Sequence, residues 1–202
     1  MINKIMWSSN EAIDDNLLTD IVNIVKDMGE DIRCPSQRFY STYFIGNRPE
    51  YIFEKYYRSI VDKIVFDFDL KHRLEYSCNF WMQVYDPNES DQHHVHDHFT
   101  SQELFSWVHF VRPTKQKCFY FTDSDGNKSY PKQDKNDFIA FPPWVNHGVD
   151  RPDDDIDVDR VVIAGNVMFD SIIDQNRAKV LKRSLSNPRL FVTELIPKTY
   201  DN

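Results

Sequence analysis

Residues Asp91–Phe99 read DQHHVHDHF, and four of the chain's seven histidines (His93, His94, His96 and His98) fall within these nine positions. Histidine is neither a strong strand former nor a residue that enters a core without a partner. In an extended strand, residues two apart share a face. His94, His96 and His98 are therefore expected on one side, with His93, Val95 and Asp97 on the other. Imidazoles a few ångströms apart repel one another when protonated. A divalent metal removes that conflict, because the neutral ring nitrogen is its ligand. An exposed polar strand is the competing reading of a lone H-x-H, and the local density of histidine sets the two level.

Two further stretches extend the pattern. Asp137–Asp150, DFIAFPPWVNHGVD, is an apolar strand that runs into Pro142-Pro143, Trp144 and then His147. The prolines stiffen the turn and fix where the next strand begins. His147 then sits at a defined place, or is simply a rim histidine beside a tryptophan. Arg160–Val167, RVVIAGNV, puts Arg160, Val162, Ala164 and Asn166 on one strand face. An arginine among small and apolar neighbours is costly unless it meets an anion. The alternative is a surface arginine that answers the acidic run Asp153–Asp159.

Around these stretches the chain is rich in short aromatic and β-branched runs. Strands are expected near Asn79–Tyr85, Gln92–His98, Glu103–Val111, Lys117–Asp123, Ser129–Lys132, Asp137–Phe141, Val145–Asp150 and Arg160–Met168. Asp125-Gly126 marks a tight hairpin turn. Eight closely spaced strands imply a mainly β jelly roll over residues 75–170. Helical periodicity precedes it, at Ala12–Met28 with Gly29 to end it, and at Pro49–Val65 with Asn47 as cap. A third helix is expected over Ser171–Leu185, and Leu190–Pro197 as an edge strand. Residues 1–74 thus read as a helical flank and 171–202 as a C-terminal helix and tail, in one domain of 202 residues.

Composition narrows the function. A net charge of −8 argues against a general nucleic-acid binder. Cys34, Cys78 and Cys118 are far apart and odd in number, which fits a reducing compartment and no cysteine-based metal site. The N-terminus lacks the apolar run of a signal peptide, and no window approaches the ~18 apolar residues of a membrane span. A soluble cytoplasmic protein is expected. Trp81, Gln83 and Tyr85 share one strand face, and Phe105, Trp107 and His109 another. Both sets read as core rather than pocket.

Taken in order, H-x-H, a histidine about 50 residues on and an arginine 13 residues later, the chain resembles the iron(II)- and 2-oxoglutarate-dependent oxygenases with a double-stranded β-helix core. It is most similar to a phage-type group related to prolyl hydroxylases, which would place it in a host cytoplasm. The resemblance rests on Phe80–Val111, on DFIAFPPWVNHGV and on RVVIAGNV. It implies His96, His98 and His147 as metal ligands, and Arg160 as partner of the distal carboxylate of 2-oxoglutarate. Asn166 closes the same strand motif as a further cofactor-side residue. It implies Fe(II), 2-oxoglutarate and molecular oxygen as participants, with ascorbate as a reductant and succinate and carbon dioxide as coproducts. The substrate, a small molecule or a protein side chain, is hydroxylated at a C–H bond.

This chain departs from the family in two places. The usual triad is two histidines and a carboxylate, whereas His98 stands at the carboxylate position and Asp97 is one residue off. Val162 stands where a serine or threonine is usual. His94 and Glu103 are reserve ligands. With Glu103 the set imitates a three-histidine, one-glutamate cupin that needs no cosubstrate, and a non-catalytic jelly roll is the third reading.

Overall fold

The computed structural model describes residues 4–34, 39–69, 74–86, 92–100, 102–151, 158–172 and 191–193. In chain order its elements are β1 (Trp7–Asn10), α1 (Asp15–Asp27), β2 (Tyr40–Ser41), α2 (Glu54–Asp67), β3 (Leu74–Tyr85), β4 (His93–His96), β5 (Glu103–Arg112), β6 (Phe119–Thr122), β7 (Lys128–Ser129), β8 (Asp137–Phe141), β9 (His147–Val149), β10 (Arg160–Ile172) and β11 (Phe191–Thr193).

The strands form two antiparallel sheets. The larger runs β1-β8-β5-β10-β3-β11, with β2 also on β3, and the smaller runs β4-β9-β6-β7. Two-residue alternation sorts the side chains of the larger sheet. Tyr76, Cys78, Phe80, Met82 and Val84 of β3 join Val161, Ile163 and Val167 of β10, and Phe138 and Ala140 of β8, in a core shared with the helices. Trp81 and Tyr85, Val162 and Ala164, and Ile139 and Phe141 face the other way, into a second core with Phe119, Phe121 and Val149 of the smaller sheet. Both faces are covered, so β8 is buried at every position. This is the jelly roll expected from the strand spacing.

Helix α1 begins at Asp15 because Asp14 caps it, accepting from the Asn16 and Leu17 amides at 2.9 Å. Leu18, Ile21, Val22 and Val25 form its buried stripe, and Tyr57, Ile60, Val61, Ile64 and Val65 that of α2. Each such side chain contributes about 1.5–3 kcal/mol when fully buried.

Some expectations need correcting. Residues Pro49–Phe53 form a 3-10 turn before α2, and Arg48 rather than Asn47 precedes it without a side-chain cap. Glu50 is drawn inward there, where it accepts from the Thr42 hydroxyl and the Met82 amide. The N-terminal flank also contributes a strand: β1 pairs with β8, although Trp7 is its one apolar residue. Ser171 and Ile172 continue β10 opposite β3 instead of starting a helix. The remainder of that expected helix lies outside the described residues. β11 falls inside the expected edge strand and pairs with β3.

Candidate metal centre

The sheets meet at the histidines. His96 lies opposite His147 in the β4–β9 ladder. His98 lies just past the end of β4, where its amide donates to the Pro143 carbonyl at 2.9 Å and ties it to the FPPW turn. One ring nitrogen each of His96, His98 and His147 lie within 4.8 Å of one another. Ring centroids are 4.4 Å apart for His96–His147, 5.0 Å for His98–His147 and 5.1 Å for His96–His98. Three nitrogens on one ion at ~2.1 Å lie about 3.0–3.6 Å from one another. Side-chain shifts on the order of an ångström would therefore close the trio on a metal.

The hydrogen bonds set the tautomers. His96 Nδ1 lies 2.8 Å from the His94 carbonyl, and His147 Nδ1 lies 2.9 Å from the Val145 carbonyl. A carbonyl only accepts, so both Nδ1 atoms donate and both Nε2 atoms keep a lone pair. Burial and the neighbouring imidazoles favour the neutral rings. His98 is pushed down to about 4, and His147 well below the usual range. Three neutral nitrogens facing one point are a donor set for a divalent transition metal.

Strict alternation fails in β4. His93 pairs with Val149 and His96 with His147, so three steps along one strand span two along the other. This β-bulge inserts one residue and reverses the expected faces. His93, expected outside, points in and stacks on His96 at 4.5 Å, while His94, held in reserve as a ligand, is exposed. The Tyr85 hydroxyl lies 3.3 Å from His93 Nδ1. Desolvation first, then the other histidines and Arg160, lower the His93 pKa to about 3. Nothing in the sequence marks the bulge, because His93 and His94 are chemically identical. Asp97 faces outward as expected and accepts from the Phe99 amide at 3.1 Å. Glu103, the other reserve, accepts from the Thr100 hydroxyl at 2.6 Å and the Thr100 amide at 2.9 Å. Those bonds commit it to the turn rather than to the cluster.

Arg160 is not a surface residue. It is 1% exposed, its guanidinium lies 4.8 Å from the Tyr85 ring centre, and neither Nη1 nor Nη2 has a hydrogen-bond partner among the described residues. Asp159 beside it pairs with Lys26 at 3.0 Å. Arg160 lines a narrow inner cavity of about 30 Å³ together with His93, His96, His98, His147 and Gln83. Trp81, Gln83 and three of the histidines also line an outer cleft of about 330 Å³ that reaches Phe39, Ser41 and Tyr43. Trp81 and Gln83, expected in the core, thus form cavity wall, whereas Phe105, Trp107 and His109 pack under the helices, with Trp107 also reaching the inner cavity. At the rim Phe99 meets Trp144, which is 62% exposed.

No family model and no curated protein matches the sequence. Solved structures do match the fold. A prolyl-4-hydroxylase from Pseudomonas putida superposes with a TM-score of 0.56 at 11% identity, over 80% of this chain and 91% of that one. A prolyl hydroxylase from Trichoplax adhaerens, in complex with a hypoxia-inducible-factor peptide fragment, gives 0.56 at 11% identity, over 83% and 84%. The non-heme α-ketoglutarate-dependent epimerase SnoN from nogalamycin biosynthesis gives 0.54 at 10% identity, over 80% and 77%. The chain thus shares its fold, a double-stranded β-helix, with these solved structures. Among the described residues no helix is long and apolar enough to cross a membrane.

Proposed function

We propose that a chain with this fold and this histidine trio is an Fe(II)- and 2-oxoglutarate-dependent oxygenase that hydroxylates a C–H bond, with succinate and carbon dioxide as coproducts. The observation that carries the reading is Arg160. A guanidinium buried to 1% exposure, with two unpartnered Nη atoms, is a fork for a carboxylate. It opens on the same cavity as His96, His98 and His147. A cupin has no use for that fork, and Glu103 is already engaged by Thr100.

Each residue then has a task. Fe(II) and 2-oxoglutarate, once bound, supply the oxidising chemistry with molecular oxygen. His96, His98 and His147 hold the metal through neutral nitrogens. Arg160 binds the distal carboxylate, and the Tyr85 ring against it covers the charge on its other side. The inner cavity is too small for 2-oxoglutarate as it stands. Gln83 Oε1, held by the Tyr85 hydroxyl at 3.0 Å, is a flexible side chain that can give way. The apolar core around Phe119 and Phe141 keeps water from the metal's inner side. The substrate, a small molecule or a protein side chain, enters by the cleft at Phe39, Tyr43 and Trp81. A site without a carboxylate holds Fe(II) less firmly than the usual triad, and Zn, Ni and Co enter it readily.

The test is turnover without substrate. Protein loaded with Fe(II), 2-oxoglutarate and ascorbate under air is expected to form succinate slowly, and Arg160→Ala is expected to stop it. Metal bound in the absence of any succinate formation would favour the non-oxygenase readings.

A further inference from the structure

The geometry points to Asn166 as a positioning residue, one that fixes the tautomer of His98 by accepting its Nδ1–H. The inference rests on the reading of His96, His98 and His147 as a metal site. In the strand motif Asn166 accompanies Arg160, but they stand six positions apart on β10, roughly 20 Å along the strand. Asn166 lies instead against the histidines, with its amide nitrogen 3.4 Å from His98 Nδ1.

Two of the three rings already have their outer nitrogen held. The His94 and Val145 carbonyls accept from the Nδ1 atoms of His96 and His147 and leave each Nε2 bare. Among the described residues no carbonyl takes that role for His98. With the Asn166 amide turned so that Nδ2 faces the ring, Nδ1 must accept, and the proton moves to Nε2, the nitrogen a metal needs. The same orientation leaves Asn166 Oδ1 buried without a donor. The two ends of an asparagine amide have nearly the same shape, so its hydrogen bonds decide its orientation. Turned by half a rotation, Oδ1 accepts from His98 Nδ1–H, and Nε2 of the third ring is bare like the other two. The amide nitrogen then replaces the orphaned oxygen. Asn79 lies directly across the β3–β10 ladder from Asn166, and its own Oδ1 is buried without a donor. One rotation answers both the ring nitrogen and the orphaned Asn166 oxygen.

An acceptor behind a metal-bound histidine orients the ring and raises its basicity, and losing it costs roughly 10–100-fold in metal affinity. Two variants separate the acceptor from the bulk: Asn166→Leu removes it, and Asn166→Asp keeps it. The first measurement needs no metal. Long-range ¹H–¹⁵N correlation spectra, with the His98 signals identified by their loss in His98→Gln, report which nitrogen carries the proton. His98 is expected as the Nδ1–H tautomer in the wild type and in Asn166→Asp, and as Nε2–H or a mixture in Asn166→Leu. The second is Co(II) affinity by chelator competition, read with the visible Co(II) absorption. Asn166→Leu is expected to bind roughly 10–100-fold more weakly, and Asn166→Asp at least as tightly as the wild type. An Nε2–H tautomer in the wild type would overturn the inference even if the leucine variant did not fold, as would wild-type Co(II) affinity in a folded Asn166→Leu. A wild type that binds no Co(II) would instead count against the metal site, and the tautomer would still decide the role of Asn166.

Discussion

His109 is buried and the histidine trio is buried or half-buried, and their pKa values move in the same direction, yet they differ in what their nitrogens meet. Burial lowers His109 to about 4, much as it does His98. At His109, however, both nitrogens are spent. The Tyr57 hydroxyl lies 2.8 Å from Nδ1, and Nε2 donates to the Glu11 carbonyl at 2.8 Å. That ring joins α2, the β5 strand and the chain just before α1. In the trio at least two rings are held by one nitrogen only, and the other faces its neighbours. A lowered pKa is therefore no mark of function here. The mark is a lone pair left over after the protein's own bonds are counted.

That contrast is open to attack from either side. The largest effect is expected at the trio. Structural zinc sites gain about 10–16 kcal/mol over four ligands, so His147→Ala should cost roughly 2.5–4 kcal/mol of Zn(II) or Co(II) affinity. His109→Gln should leave that affinity unchanged in the same chelator competition. Metal loss in the His109 variant would erase the distinction.

Next is the pH dependence of stability. Unfolded histidine titrates near 6.5, and folded His109 near 4. Between those values the unfolded chain takes up a proton that the folded one refuses. His109 therefore contributes stability that is present above pH 6.5 and lost as the pH falls towards 4, on the order of 3 kcal/mol in all. Urea unfolding from pH 7 to pH 4.5 should show this decline on top of that from His93, His98 and His147, and His109→Gln should make it shallower by the His109 share alone.

Arg160→Ala should weaken 2-oxoglutarate binding by roughly 1.5–3 kcal/mol, the range for a charged hydrogen bond, with metal content retained. Calorimetry giving equal affinity in both proteins would remove Arg160 from the site. The smallest effect is expected at His94. Its carbonyl holds His96 while its ring is exposed, so His94→Ala should change metal affinity by less than about 0.5 kcal/mol.

Much of this site was legible from residue order. Alternation in β10 sends Arg160, Val162, Ala164 and Asn166 inward, and Val161, Ile163 and Val167 under the helices. Gly165 on the helix side is required rather than incidental, because a Cβ there would sit 2.5 Å from the Trp107 ring and from the Asn79 carbonyl. What the sequence hid has physical causes. The bulge in β4 depends on backbone pairing with β9, which His93 and His94 do not encode as side chains. β1 carries too little apolar surface to announce itself, and its pairing with β8 supplies what its composition lacks. The bond that commits Glu103 to Thr100 is a local turn that competes with any ligand role.

The extra residue in β4 also has a meaning for how such a gene can change. A chain that lost the codon for Val95 would run His93, His94, His96 without interruption. His93 could still face Val149 and His96 still face His147, so both the ladder and the inward imidazoles would survive. The His94 carbonyl, however, is brought beneath the His96 ring by the bulge. Regular pairing would turn it along the ladder, and His96 would lose the acceptor on its Nδ1. Such a deletion is expected to leave a folded protein whose grip on metal has slackened, so selection at this point would act on the length of the strand as much as on its letters.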